Sequence, residues 1–454
     1  MIKKKTVTFS AIILLSPFLI SQNKSVSFSE SLPIDTVKAG LQRLLTDELT
    51  KYYPLVLDTV DGGYLSDVDY RWELNGIQNK MIVTQSRHIW STSNAVHYFK
   101  NDPALLKTAK HGVQFLEDKM WDRDYGGFYD LVDRQGKPLG DEHGNMKTAY
   151  GNAFAIYGLA AYYRASGDTA ALTLAIETFS WLEKHSYDEV NGGYFQNLQR
   201  NGTPFKNNYR TIPPKDQNST IHLLEALTEL YDVWPDAILK KRLASLLHIV
   251  RDVITTKKGY MVLFFQQNWT PVSYRDSSAG VREKNYEYDH VSFGHDVETA
   301  YLMLEASKAL GLQHDTVTLA IGKKMVDHAL KNGWDTTHGG IYDGGYYFTF
   351  DGHCSILHQT KEWWAQAEAM NSLLLMAQLF PDDTMQYYEK FLRQYAYIEK
   401  YLIDHEYGGW YWGGTDIVPA LKKSPKASIW KANYHTSRAL MNCINRLHSP
   451  SSAN

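Results

Sequence analysis

A double glycine followed by an aromatic or aliphatic residue recurs along the chain, and this repeat constrains the fold more than any other feature. It stands at Gly62-Gly63-Tyr64, Gly126-Gly127-Phe128, Gly192-Gly193-Tyr194, Gly339-Gly340-Ile341 and Gly408-Gly409-Trp410. The spacing is nearly even except between Gly192 and Gly339, where the gap is more than doubled and hides one unit. Lys258-Gly259-Tyr260 lies near the middle of that gap, where the missing unit belongs. Between the glycine turns, apolar residues recur at steps of three and four, as in Ala153, Ile156, Tyr157, Leu159, Ala160 and Tyr163, or in Leu223, Leu224, Leu227, Leu230 and Tyr231. That is the period of an amphipathic helix. Each unit has room for two helices of about 12 to 18 residues and a short β-like turn, and a hairpin of that kind cannot bury its apolar face alone. Six hairpins without polar capping repeats are expected to close on themselves as an all-α (α/α)6 barrel, one domain over residues 35–447, rather than stack as an open solenoid. The glycines need only their turns to explain them.

The charge balance narrows the partners. Of 454 residues, 47 are basic and 50 acidic without long blocks, a net charge of −3, so nothing marks a surface for nucleic acid or for anionic membrane. A neutral small molecule fits better. The 31 Tyr and 12 Trp suit rings that stack on apolar sugar faces, and equally a core of large side chains. The chain begins Met1-Ile2-Lys3-Lys4-Lys5 and runs apolar from Val7 to about Ile20, which reads as a signal peptide over residues 1–24. The run is too short for stable membrane insertion. Export, periplasmic or secreted, is therefore the expectation. Cys354 and Cys443 could form at most one bridge.

Polar residues that interrupt core helices are the informative ones, because burying them unpaired is costly. Arg87, in Gln85-Ser86-Arg87-His88-Ile89-Trp90, puts a guanidinium among hydrophobes; a surface salt bridge is its plain alternative. Asn218, His222 and Glu225 fall on one helical face, where they could also simply be solvated. His295 and Glu298 stand one turn apart, so that the carboxylate is expected to orient the imidazole and keep it basic. His435, in Trp430-Lys431-Ala432-Asn433-Tyr434-His435, follows the Trp-rich Lys361-Glu362-Trp363-Trp364-Ala365-Gln366-Ala367-Glu368 and could be a satisfied core residue. The order His-x-x-Glu is the reverse of the Glu-x-x-His of di-iron bundles, and neither His-x-x-x-His nor clustered Cys occurs, so no metal is expected. Nucleotide-binding loops and the Gly-x-Ser-x-Gly elbow are absent too.

With these segments in register, and with Lys147-Thr148-Ala149-Tyr150-Gly151-Asn152-Ala153-Phe154 between them, the chain resembles the N-acylglucosamine 2-epimerase superfamily, in particular its cellobiose 2-epimerase group, from about residue 35 to 445. The resemblance implies an (α/α)6 barrel that interconverts the glucose and mannose configurations at C2 of a reducing sugar, with no cofactor. It implies His295 and His435 as the acid/base pair on the two faces of C2, and Arg87 as the group that holds the enediolate. It further implies that His222 assists ring opening with Asn218 and Glu298, and that Tyr150, Trp430 and one or both of Trp363 and Trp364 contact sugar. Inverting a carbon beside an aldehyde requires taking a proton from one face and returning one to the other, so two bases are the simplest device. The partner expected is a disaccharide or a free hexose, and the protein a monomer or weak dimer. Alternatives are a mannose or N-acylglucosamine 2-epimerase, an aldose–ketose isomerase, and more remotely a glycoside hydrolase, which needs facing carboxylates, or a non-catalytic sugar-binding protein.

The chain departs from the group in three places. Tyr301 stands where many disaccharide epimerases carry Trp, and Lys215-Asp216-Gln217 opens the Asn218 helix. A polar segment holding Arg275-Asp276-Ser277-Ser278-Ala279-Gly280 and Arg282-Glu283-Lys284-Asn285 makes the interval from Gly259 to Gly339 the longest of the repeat. It is expected to fold over the barrel mouth and narrow the space for a second sugar ring.

Overall fold

The computed structural model describes residues 33–99, 101–139, 146–209, 211–349 and 352–448. The leader read over residues 1–24 lies outside these. Helices α1 (Ile34–Tyr52), α3 (Pro103–Phe115), α5 (Thr169–His185), α7 (Ala237–His248), α10 (Thr316–Asn332) and α12 (Tyr387–Tyr397) form an outer ring. Helices α2 (Ile82–Ala95), α4 (Ala149–Ser166), α6 (Gln217–Val233), α9 (Phe293–Ala309), α11 (Trp363–Leu379) and α13 (Tyr434–His448) form an inner one; α8 (Ala279–Asn285) is a short rim helix. Each inner helix packs on the next, and α13 returns to α2, so the ring is closed. Outer helices α3, α5, α7 and α10 start where Asp102, Asp168, Asp236 and Asp315 accept the free N–H groups of the first turn.

The amphipathic reading holds for the outer ring and needs correction for the inner one. On α12 the buried residues Tyr387, Phe391, Gln394 and Tyr395 lie on one stripe. On α4 every residue from Gly151 to Tyr162 is buried, because an inner helix has the outer ring on one side and the packed barrel axis on the other. Among the described residues no helix is long and apolar enough to cross a membrane.

The six glycine turns share one construction. Each is pinched by a β-bridge: Leu57 with Tyr64, Trp121 with Phe128, Tyr187 with Tyr194, Thr255 with Met261, Trp334 with Ile341, and Ile403 with Trp410. Both glycines of Gly126-Gly127 have φ near +70°, at 67° and 71°, a region in which a side chain is strained. In five units an aspartate four residues before the first glycine accepts a fully buried lysine ammonium: Asp58 and Lys80 at 2.9 Å, Asp122 and Lys147 at 2.9 Å, Asp188 and Lys215 at 2.8 Å, Asp335 and Lys361 at 2.7 Å, Asp404 and Lys426 at 2.7 Å. Four of these lysines also donate to a glycine carbonyl of their turn. Burial alone would raise Asp122 and Asp188, but Arg200 with Lys147 on the first, and Lys215 with Asn191 on the second, hold both carboxyls down to about 2. Breaking such a buried pair from one side costs about 3–5 kcal/mol.

The fourth unit has no such pair. Thr256 replaces the aspartate, Val291 the lysine, and an aromatic stack of Tyr260 on Tyr347, centroids 5.1 Å apart, fills the space. Arg275 donates to the Tyr260 hydroxyl at 2.6 Å, which ties the start of the long polar segment to this stack.

Candidate functional site

The first two turns of the inner helices converge at the end of the barrel that carries the glycine turns and short strands. Tyr150, Asn218, Trp364 and His435 are each the second residue of their helix, while Arg87, His222, Glu298 and Glu368 are each the sixth. Four residues along a helix is about 6 Å, so the site has two layers: groups that face the mouth, and a charged layer beneath. His295, third in α9, stands with the upper layer.

In the upper layer the Trp364 indole lies against both candidate bases, with ring centroids 4.6 Å from His295 and 5.7 Å from His435. Gly294 makes room for it, since a Cβ there would meet the indole at 2.7 Å. Trp363 turns away; it is buried, edge-on to Trp412 and beneath the Lys431 ammonium, so its place among sugar contacts is corrected. Trp430 is half exposed at the rim, and its carbonyl accepts from Arg87 at 3.2 Å. Arg87 also donates to the Tyr150 hydroxyl at 3.1 Å and sits over the Phe154 and Tyr434 rings. It is buried, and among the described residues no carboxylate pairs with it, so the surface salt bridge is ruled out. Asn218 approaches the same Tyr150 hydroxyl.

Beneath lies a buried network centred on Arg438. One arm of its guanidinium donates to Glu225 and the Tyr434 hydroxyl, the other to Glu298 and, at 2.5 Å, to Glu368. Glu225 accepts His222 Nδ1 at 2.8 Å, and Glu368 accepts His435 Nδ1 at 2.7 Å and the Tyr301 hydroxyl at 2.6 Å. Tyr301 thus serves the carboxylate layer and does not stand in for a sugar-facing Trp. The expected pairing of Glu298 with His295 is also corrected: His295 Nδ1 meets Ser292 Oγ at 2.8 Å, while Glu298 points down the barrel to Arg438 and lies 3.9 Å from His435 Nδ1. The reason is the helix itself, which aims its third residue at the mouth and its sixth inward.

Burial, with the positive charge of Arg87, pushes His295 and His435 well below 6.5, which disfavours a charged imidazolium on either. Burial would raise Glu225, yet Arg438 and His222 hold it at about 2. Burial raises Glu368, the carboxyl bonded to His435. Glu298, Glu368 and His435 bring ligand atoms within 4.8 Å of one another, a set that could take a cation; the Arg438 guanidinium lies on its two carboxylates.

Glu225, Glu368, Tyr301, Tyr434 and Arg438 are the network residues that sequence reasoning left out of the site. Their signal is helical phase: Glu368 sits at the same helix position as His222 and Arg87, and Arg438 one turn below His435.

The family model described as "N-acylglucosamine 2-epimerase" matches residues 63–439. A cellobiose 2-epimerase of Ruminococcus albus is 31% identical over 424 residues, spanning 89% of this chain and 98% of that protein. The solved structure of a cellobiose 2-epimerase from Bacillus thermoamylovorans superposes with a TM-score of 0.78 at 26% identity, covering 91% of this chain and 100% of the other. A D-mannose isomerase of Thermobifida fusca is 23% identical over 366 residues, 78% of this chain and 84% of its own length.

Proposed function

We propose, for a chain that belongs to the N-acylglucosamine 2-epimerase family, that His295 and His435 move a proton between the two faces of C2 of a reducing sugar. The protein is a sugar 2-epimerase of the cellobiose 2-epimerase type. The observation that carries the residue assignment is the pair of imidazoles flanking Trp364, His435 buried and His295 half-buried, each with Nδ1 fixed and Nε2 left for substrate. After ring opening, assisted by His222 on Glu225, the C2 hydrogen is acidified by the adjacent aldehyde. Neutral His295 takes it, and the electron pair moves onto O1 to give an enediolate, whose charge Arg87 holds beside Tyr150. His435, protonated at Nε2 and held at Nδ1 by Glu368, returns a proton from Nε2 to the opposite face; the reverse reaction exchanges the two roles. Asn218, Trp364 and Trp430 contact the sugar.

The segment between Phe265 and Val291 bears on sugar size. Its Tyr288 hydroxyl meets Thr211 Oγ1 at 2.9 Å across the rim, and His290 is stacked on Tyr286 with ring centroids 4.9 Å apart. This supports a narrowed space for a second ring and a shift toward free mannose and glucose. Deleting residues 275–285 should raise the cellobiose to mannose ratio of kcat/KM several-fold; an unchanged ratio removes the idea. The lysine-rich start and the apolar run from Val7 support export, where free sugars rather than phosphorylated ones would be met.

Proton NMR in D2O with cellobiose, mannose and N-acetylglucosamine tests the reading. The epimer with deuterium at C2 is expected for at least one sugar. A ketose as sole product would make the protein an aldose–ketose isomerase, and unchanged spectra would overturn the reaction.

A further inference from the structure

Trp364 lies against both bases, and what holds it there is a carboxylate with no part in the reaction described above. Glu362 Oε2 accepts the Trp364 indole N–H at 2.8 Å, and its other oxygen accepts the Trp412 indole N–H at 3.1 Å. Its backbone N–H is tied to Asp343 Oδ1 at 2.9 Å, and it pairs across the strand with Gly413. One carboxylate thus joins an indole from the start of α11 to one that follows the sixth glycine turn. Both bonds need two acceptor oxygens: an amide would keep one and turn its NH2 against the other N–H.

We propose that Glu362 is a positioning residue for the epimerisation, which holds the Trp364 indole between His295 and His435 and makes its ring face more electron-rich. The argument has two parts. Positionally, Trp364 is second in its helix with nothing before it but Trp363 and the capping Glu362, and Gly294 leaves its ring a flat bed, so the N–H bond to Glu362 is what fixes the rotation about its side-chain bonds. Electronically, an indole that donates to a carboxylate gains electron density on its π face. Both imidazoles lie close to that ring, at the centroid separations of 4.6 and 5.7 Å given above, where a cation is attracted to an aromatic face. Each half-reaction leaves one imidazole protonated, so a richer ring favours the states through which the proton passes. The inference rests on His295 and His435 being the acid/base pair.

A double-mutant cycle tests it on the full-length enzyme, with Glu362→Gln, Trp364→Phe and the two combined. Each single variant should lower kcat/KM about tenfold or more, mainly in kcat, as expected for loss of a charge-assisted hydrogen bond. The double variant should be no worse than the poorer single one. In Glu362→Gln the acid limb of the kcat/KM profile should also move to lower pH, which a purely structural role would not do. Losses that multiply in the double variant, or a Glu362→Gln enzyme with parental kcat and pH profile, would overturn the proposal. Should Glu362→Gln fail to fold, Trp412→Phe and Trp364→Phe decide: the first removes the other indole from the same carboxylate and should leave kcat within about twofold, the second should not. Equal losses in these two would overturn it as well. A parent enzyme without C2 exchange would instead refute the acid/base assignment itself.

Discussion

Five of the six hairpins are fastened by a buried lysine on an aspartate, and the fourth is not. The five carry their turns on an ion pair that is fully desolvated and, in four of them, hydrogen-bonded to the turn's own backbone, so each is intolerant of losing one partner. The fourth uses Thr256, Val291 and the Tyr260–Tyr347 stack, and there the chain accommodates the long rim segment and sets His295 at the head of α9. The difference extends to the helix beneath. Gln85, Asn152 and Gln366, each fourth in its helix, accept the N–H of Tyr64, Phe128 and Ile341; in the fourth unit Asp296 does this for Met261. Burial pushes Asp296 far above the usual carboxylate range, which favours the neutral acid, the form that stands in for an amide. A repeat can thus change its fastening where function requires the rim to be rebuilt, provided the replacement is neutral.

The contrast is sharpest at the bases themselves. His435 is held by a carboxylate and His295 by a hydroxyl. Glu368→Gln should lower kcat/KM by roughly 100-fold or more, as removal of a base's charged partner does, while Ser292→Ala should cost less than about tenfold. Initial rates with the preferred sugar check both, and equal effects would dissolve the distinction. Next in size is Lys215→Met, which strands buried Asp188 and should lower unfolding free energy by about 3–5 kcal/mol in a denaturant titration. Thr256→Ala, the corresponding change in the fourth unit, should cost about 1 kcal/mol or less, the worth of an ordinary hydrogen bond.

For Asp296→Asn both the size and the sign of the effect depend on pH. A carboxyl whose folded pKa is raised binds its proton more tightly when native, so the parent loses stability as pH rises above the unfolded value of about 3.9. The asparagine variant escapes that loss. It should match the parent near pH 4 and be the more stable at pH 8, read as midpoint denaturant concentration at each pH. A variant less stable at both would mean that the native acid is ionised.

The architecture was legible because a sixfold repeat of glycine turns is written in residues whose conformational needs are local. The convergence of Arg87, Tyr150, His222, His295 and His435 was an implication of the family resemblance that the motifs carry, not of any one segment read alone. Hydrogen-bond partners were not. Helical spacing of three made His295 and Glu298 a plausible pair, yet three residues on an α-helix also separate the mouth from the barrel interior, and only the ring's closure shows that Glu298 meets Arg438 from a helix 140 residues away. The same holds for Trp363 and Trp364, adjacent in sequence and about 100° apart on the helix. The lysine–aspartate fastenings are hard to read because Lys147, Lys215 and Lys361 stand at the head of inner-helix motifs, well apart in sequence from the turns they reach back to.

The two-base claim is tested most directly by C2 exchange in D2O with His295→Asn and His435→Asn, each started separately from the gluco and the manno sugar and followed by proton NMR. The account predicts that neither variant forms epimer, and that each still exchanges C2 hydrogen with solvent in one configuration only, a different one for each. Epimer formation by either variant, or exchange of both configurations by a single one, would contradict it.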